Sequence, residues 1–255
     1  MGDVDSFEDP SSLIPDEIIN VLVKSIGLGL DHRPYEPATP LGTFVGLDIS
    51  AEVTLAQLPK DFAEVMDSAG GAGGGALPFG FIPSPKLHLH KGFTNRLDLG
   101  VSGLYYPGFL LLGGDAKLAV YMPEEGPTWA IRLGYSYTSL GIITTHTWSP
   151  QILLSKKLHF TDPYIGVGYQ YTYGTLELDL TEALQGQVPE DAPPEIAEEL
   201  ENYDFVLSKD GSGSAFIGFL GLGIKLGPSG VRVSVEASYS TARVNTIGTK
   251  VGFNF

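Results

Sequence analysis

TIGTKVGFNF, residues 246–255, alternates without a break. Ile247, Thr249, Val251, Phe253 and Phe255 fall on one face of an extended chain, and Gly248, Lys250, Gly252 and Asn254 fall on the other. Period-two alternation marks a strand with one apolar and one polar side. The apolar side is bulky and ends on an aromatic ring; three of the four residues opposite are glycine or asparagine. Strand ends in water usually trail into polar residues that fray, and none follows Phe255. The pattern therefore predicts a strand whose Val251, Phe253 and Phe255 meet an apolar medium.

The composition narrows what that medium can be. The 255 residues contain no cysteine, which leaves out a disulfide framework and thiolate metal sites. A formal charge of -15 and a pI near 4.6 provide no basic stripe for nucleic acid. Between residues 177 and 210 there are eleven acids against Lys209 alone, so this segment carries -10 of the -15. The longest uncharged apolar run, residues 99–114 (LGVSGLYYPGFLLLGG), is shorter than the ~20 residues of a helical span, and Pro107 and five glycines interrupt it. Residues 1–12 read as disordered and carry no secretory signal pattern. A membrane protein of this composition has to cross with strands.

Working back from the C-terminus, strand patterns recur through most of the chain. They are expected at 42–55, 86–93, 96–105, 110–122, 129–140, 147–154, 164–178, 215–226, 231–241 and 246–255. The count is ten, with eight to twelve compatible. In the first of these, Val45, Leu47, Ile49, Ala51, Val53 and Leu55 oppose Gly46, Asp48, Ser50, Glu52 and Thr54. Pro150 makes the sixth irregular. With both termini on one side, the connections at 94–95, 123–127, 156–162 and 227–230 are short, and 59–85 and 177–214 are long on the other. Aromatic residues sort with the ends: Tyr105, Tyr106, Tyr135, Tyr137, Trp148, Tyr171, Tyr173 and Tyr239 toward the long loops, Phe93, Trp129, Phe253 and Phe255 toward the short turns. Segregated loops and two aromatic girdles are properties of transmembrane barrels.

The Phe-ending strand resembles the closing strand of the bacterial outer-membrane β-barrel proteins, a likeness at the level of the superfamily. It implies an all-β fold, an antiparallel up-and-down barrel of about ten strands with a short N-terminal helix, integral to the outer membrane. Residues 41–255 would form the barrel and residues 1–40 an N-terminal extension. The implied partners are outer-membrane lipids and lipopolysaccharide, the barrel-assembly machinery that reads the terminal Phe, and a small-molecule solute; the chain is expected to be a monomer.

In such a barrel the lumen is lined by Gly100, Asp115, Lys117, Arg132, Gly166, Gly168, Arg232, Glu236, Gly248 and Gly252, among others. Ten strands ~4.8 Å apart and tilted ~40° enclose a backbone radius of roughly 10 Å. So many small inward residues leave space for a slim helix or a solute path. A helix is predicted from residue 14 to about 28, with Pro15, Asp16 and Glu17 at its start and Gly27 and Gly29 at its exit. Its stripe of Ile18, Val21, Leu22 and Ile26, widened by Ile19 and Val23, suits either a plug in the lumen or a periplasmic cap. Residues 31–40 read as a Pro-containing connector. Charged lumen residues of both signs are expected to pair across strands.

Candidate chemistry is sparse. His88 and His90 share a strand face, but two imidazoles do not make a metal site and no third is near in sequence. Ser155 and His159 are the nearest approach to a nucleophile and base, without a third member. Residues 70–75 (GGAGGG) lack the Lys and Ser/Thr of a phosphate loop; a short helix is expected at 60–67 and another in the acidic segment at 194–202. No catalytic residue, metal or cofactor is assigned. The expected function is passive transfer of small, apolar or amphiphilic molecules through a narrow, partly plugged lumen. The alternatives are a non-conducting structural or surface-interaction barrel and a lipid-modifying enzyme.

Overall fold

The computed structural model describes residues 15–43, 46–62, 81–179, 206–227 and 230–255. Among them, ten strands follow one helix: α1 (Asp16–Gly29), β1 (Leu47–Gln57), β2 (Phe81–Gly92), β3 (Leu97–Tyr106), β4 (Phe109–Tyr121), β5 (Thr128–Ser139), β6 (Ile143–Ser155), β7 (Thr161–Asp179), β8 (Val206–Leu226), β9 (Val231–Ser240) and β10 (Asn245–Asn254). Each strand pairs antiparallel with its sequence neighbours, and β10 returns to pair with β1, so the sheet closes on itself. The seam runs from Asp48 opposite Asn254 to Gln57 opposite Asn245. Closure leaves no edge of unpaired backbone groups, which is what a sheet inside a bilayer requires.

The polarity of the barrel is inverted relative to a water-soluble fold. Along β10, the expected outward residues are open, with Val251, Phe253 and Phe255 at 49, 52 and 58% exposure, while Gly248, Lys250 and Gly252 are buried. The same alternation runs through β1, where Asp48, Ser50, Glu52 and Thr54 point inward. The girdle aromatics Tyr105, Tyr106, Tyr171 and Tyr173 at one end and Phe93, Trp129 and Phe253 toward the other are all exposed.

Several boundaries differ from the sequence expectation, each for a physical reason. The first strand begins at Leu47 rather than residue 42, because Gly42 and Gly46 sit at positive φ and turn the chain into the barrel. β6 is longer than 147–154 and runs straight through Pro150, whose ring is exposed. Proline lacks a donor, and the β6–β7 pairing passes from Trp148 opposite Tyr171 to Gln151 opposite Gly168 without a bridge between. β2 and β8 begin earlier than expected, at Phe81 and Val206, which shortens the long connections to 58–80 and 180–205. In β8 the added residues 208–214 are Ser, Lys, Asp and Gly without an apolar face, since they extend beyond the last β9 pairing, Ile217 opposite Ser240, and are held on the other side by β7. Residues 60–62 are helical; the rest of the 60–67 helix, residues 70–75 and the 194–202 helix lie outside the described residues. Among the described residues, no helix is long and apolar enough to cross a membrane.

Candidate functional site

The N-terminal residues run through the barrel rather than beside it. α1 packs against the inner faces of β6, β7 and β8 at the long-loop end. Lys209 on the β8 ribbon pairs with Asp16 at 2.7 Å, and Asn20 Oδ1 accepts from the Ser212 backbone N–H at 2.8 Å. From Leu30 the chain is extended and meets successively lower levels of the wall: Ser136 and Ser149 at Asp31, Thr54 at Tyr35, Lys250 at Glu36, Ser155 at Thr39 and Asp98 at Leu41. It emerges at the short-turn end, where Thr43 Oγ1 donates to Asn95, and leads into β1. Pro15 and α1 therefore stand at the opposite end from the C-terminus, which departs from the expectation of both termini on one side. Residues 30–41 can reach at most ~40 Å when extended, enough for the ~30 Å depth of a bilayer core. Prolines 34, 37 and 40 favour the extended form and remove three backbone donors that would otherwise need partners.

Apolar contacts hold the two ends of this thread. At the upper end Ile19, Val23, Ile26 and Leu30 form a buried cluster with Phe62, Leu111, Ile143 and Leu176. The centre of the buried stripe is thus Ile19 and Val23, with Ile26; Val21 and Leu22 are partly buried against the same cluster and Ile18 is half-buried. The rotation arises because the wall surrounds α1, so the residues expected only to widen the stripe are the ones pressed deepest. At the lower end Ala38 packs with Ala130, Leu153, Tyr164, Ile217 and Phe219.

Between the clusters the thread is held by polar groups. The Asp31 carboxylate accepts from Ser136 Oγ at 2.7 Å, Ser149 Oγ at 2.6 Å, Gln170 Nε2 at 2.5 Å and the His32 backbone N–H at 2.8 Å. His32 joins Ser102 at 2.6 Å and Asp115 at 2.8 Å. Arg33 donates to Ser238 at 3.0 Å, and Tyr35 bonds Thr54 at 2.5 Å. Glu36 lies between two wall cations, Lys117 at 3.1 Å and Lys250 at 3.2 Å, which also hold Asp98 and Asp48 at 3.1 and 3.2 Å. Every one of these side chains is buried.

The inward glycines have a different consequence from the one expected of them. Gly248 faces the Tyr35 ring, Gly113 faces His32, Gly100 faces His90 and Gly166 faces Phe219, each so close that a Cβ would collide. They are seats for large neighbours, and the space they leave is taken. Gly168 lies beside Gln151 and Gly252 beside Ser50 in the same way. Among the charged residues expected in the lumen, Asp115 takes bonds from His32 and His90, Lys117 joins Glu36 to Asp98, Arg232 pairs with Asp162 at 3.0 Å, and Glu236 accepts from Tyr164 at 2.9 Å. Arg132 has a different partner: its guanidinium donates to Gln151 and lies 5.6 Å from the Phe219 ring.

The hydrolase candidates do not meet. Ser155 Oγ bonds Thr39, while His159 sits on a turn with its ring edge against Phe160. His88 and His90 do gain a third imidazole, His32 of the thread, 70 positions from Ser102 and 83 from Asp115 in sequence yet bonded to both. The sequence signal for the thread was present in DHRPYEP, residues 31–37, where five of seven residues are ionisable between prolines.

Fold and inverted polarity together define the class: a ten-stranded transmembrane β-barrel of the outer-membrane type, with its own chain laid through the lumen. Among solved structures, the chain resembles Neisserial surface protein A at 8% identity and TM-score 0.32, the N-terminal β-barrel domain of Pseudomonas aeruginosa OprF at 11% and 0.30, and the Acinetobacter baumannii outer membrane protein Omp33 at 8% and 0.32. Each alignment covers 82% of this chain and 97% of the other. No protein-family model matches the chain, and no curated protein does.

Proposed function

We propose that this barrel works in the bacterial outer membrane as a conduit for small solutes that its own N-terminal segment keeps shut. The observation that carries the reading is the chemistry of the wall behind the thread. The inward face of the strands buries six acids (Asp48, Glu52, Asp98, Asp115, Asp162, Glu236) and five cations (Lys86, Lys117, Arg132, Arg232, Lys250) amid serines and threonines. A wall meant to stay dry would be covered at lower desolvation cost by apolar residues; one that is exposed to water when the thread leaves is already suited to it.

This wall also redirects the choice of solute. The apolar stripe of α1 finds apolar partners only near the long-loop end, so hydrated, polar solutes fit the middle of the path better than the apolar ones expected from the helix alone. With six acids against five cations the wall itself is close to neutral, and the acidic 177–210 segment would bias entry against anions. The exposed aliphatic band meets lipid, and the barrel needs no second copy to close its sheet.

Deleting residues 1–41 and recording single-channel conductance in planar bilayers tests the reading. The truncated barrel should conduct steadily while the full chain stays closed or opens briefly. If the truncated barrel is folded and still does not conduct, the conduit reading fails and a non-conducting envelope barrel takes its place.

A further inference from the structure

We propose that His32, His88 and His90 form a buried tris-histidine site for a divalent transition-metal ion, which clips the thread to the wall strand β2. His88 and His90 project inward from alternate positions of β2, and His32 descends to them from the thread. The three rings stand as a triangle, with centroids 5.4, 5.6 and 6.1 Å apart. One ring nitrogen from each lies within 4.8 Å of those of the other two. A tetrahedral ion with metal–nitrogen distances of 2.0–2.1 Å places its ligands ~3.4 Å apart. Closing that gap takes a contraction of at most ~1.4 Å by these distances, and His32 is carried by a segment outside the sheet.

Two further observations single out this cluster. The first is the set of carboxylates around it: Glu52 Oε2 is 2.8 Å from His88 Nε2, and Asp115 Oδ1 is 2.8 Å from His32 Nε2 and 3.0 Å from His90 Nε2. Metal-bound histidines commonly hold a carboxylate on the ring nitrogen away from the ion, which fixes the ring and raises its basicity. The second is unmet bonding capacity. Both ring nitrogens of His88 and Nδ1 of His90 are buried without a hydrogen-bond partner, in side chains 0 and 1% exposed, with Glu36 Oε1 3.4 Å from His90 Nδ1. His32, whose nitrogens bond Ser102 and Asp115, would give up one of these bonds to the ion. A buried polar atom left without a partner is costly, and an ion accepts the lone pair. Glu52 and Asp115 would also offset the ion's charge.

The donor set defines the class of ion. Three imidazoles without a thiolate suit zinc, nickel or copper, whereas calcium and magnesium require oxygen ligands. The neighbouring group of Glu36, Asp48 and His90 is less suited, since Lys117 and Lys250 already occupy both carboxylates.

The test uses the full chain in detergent, stripped with chelator and titrated with zinc by calorimetry. Cobalt is titrated in parallel to read the visible bands of a tetrahedral nitrogen site. One ion per barrel is expected. His32→Ala and His88→Gln should each weaken binding at least tenfold, while His159→Ala, on an exposed turn, leaves it unchanged. His32→Ala alters no strand, so it decides the matter even if wall variants do not assemble; folded barrel is verified by its heat-dependent gel mobility. Absence of stoichiometric zinc binding, or binding that survives His32→Ala together with His88→Gln, overturns the site.

Discussion

Asp31 is the thread residue whose loss has the most calculable effect. It is buried, and three wall side chains from three strands, Ser136, Ser149 and Gln170, converge on its carboxylate. When the thread leaves, water replaces all three bonds, so each contributes a net value of at least ~1 kcal/mol to holding the thread in place. Asp31→Ala should therefore cost at least about 3 kcal/mol of retention by that sum, which raises the displaced population at least about a hundredfold at 1.4 kcal/mol per factor of ten. The absence of native cysteine provides a clean assay. Ser25 is fully buried on α1, and its hydroxyl has no partner among the described residues, so Ser25→Cys introduces a single near-isosteric thiol. Its labelling by a water-soluble maleimide reports how often α1 leaves the lumen. Asp31→Ala in that background should label at least about a hundred times faster by the same arithmetic. Labelling within twofold of the parent would refute the idea that this carboxylate anchors the thread.

Other perturbations separate the thread from the barrel. Gly248→Leu drives a side chain into the Tyr35 ring and should weaken retention by about 1–3 kcal/mol, the usual cost of overpacking, read as faster Ser25→Cys labelling with an unchanged gel shift. Glu36→Gln leaves Lys117 on Asp98 and Lys250 on Asp48. Labelling should therefore rise about ten- to a hundredfold, for a charged hydrogen bond of about 1.5–3 kcal/mol, while barrel melting followed by circular dichroism stays within a few degrees. Val101→Arg places a charge on the lipid face midway along β3 and should lower the stability of the barrel refolded in vesicles by about 2–4 kcal/mol; an unchanged denaturation midpoint would argue against that face meeting hydrocarbon.

How much of this was legible in the sequence depended on where water lies. Strands such as β1 and β10 face lipid on one side, so period-two alternation is enforced and Ile49, Val53, Val251 and Phe253 announced their direction. The start of β8 pairs with no β9 residue and packs its inward side on α1, with Gly211 against Ile19 and Ser212 on Asn20, so Ser208, Gly211 and Ser212 carry no alternation to read. Pro150 lowered the pattern of β6, although only a single bridge-free step results. The thread was the least legible part. Its partners range from 19 to 214 positions away, and an extended segment with three prolines has no periodicity of its own. His32 was missed as a companion of His88 and His90 because sequence separation says nothing about a chain that doubles back inside a ring. The inward glycines were seen correctly as small, but smallness alone does not tell an open path from a socket.

The passage of residues 15–43 through a closed ring also constrains the order of assembly. Residues 15–43 lie inside the circle that β1 and β10 complete, so this segment and the barrel seam are topologically interlocked. Either the strands close around a thread already laid along β6 to β8, or the thread is drawn end-first through a finished hoop. The former makes the β1–β10 seam the last hydrogen-bonded ladder to form, and Asp31, His32 and Glu36 become a template on which the inner wall gathers before any lumen exists.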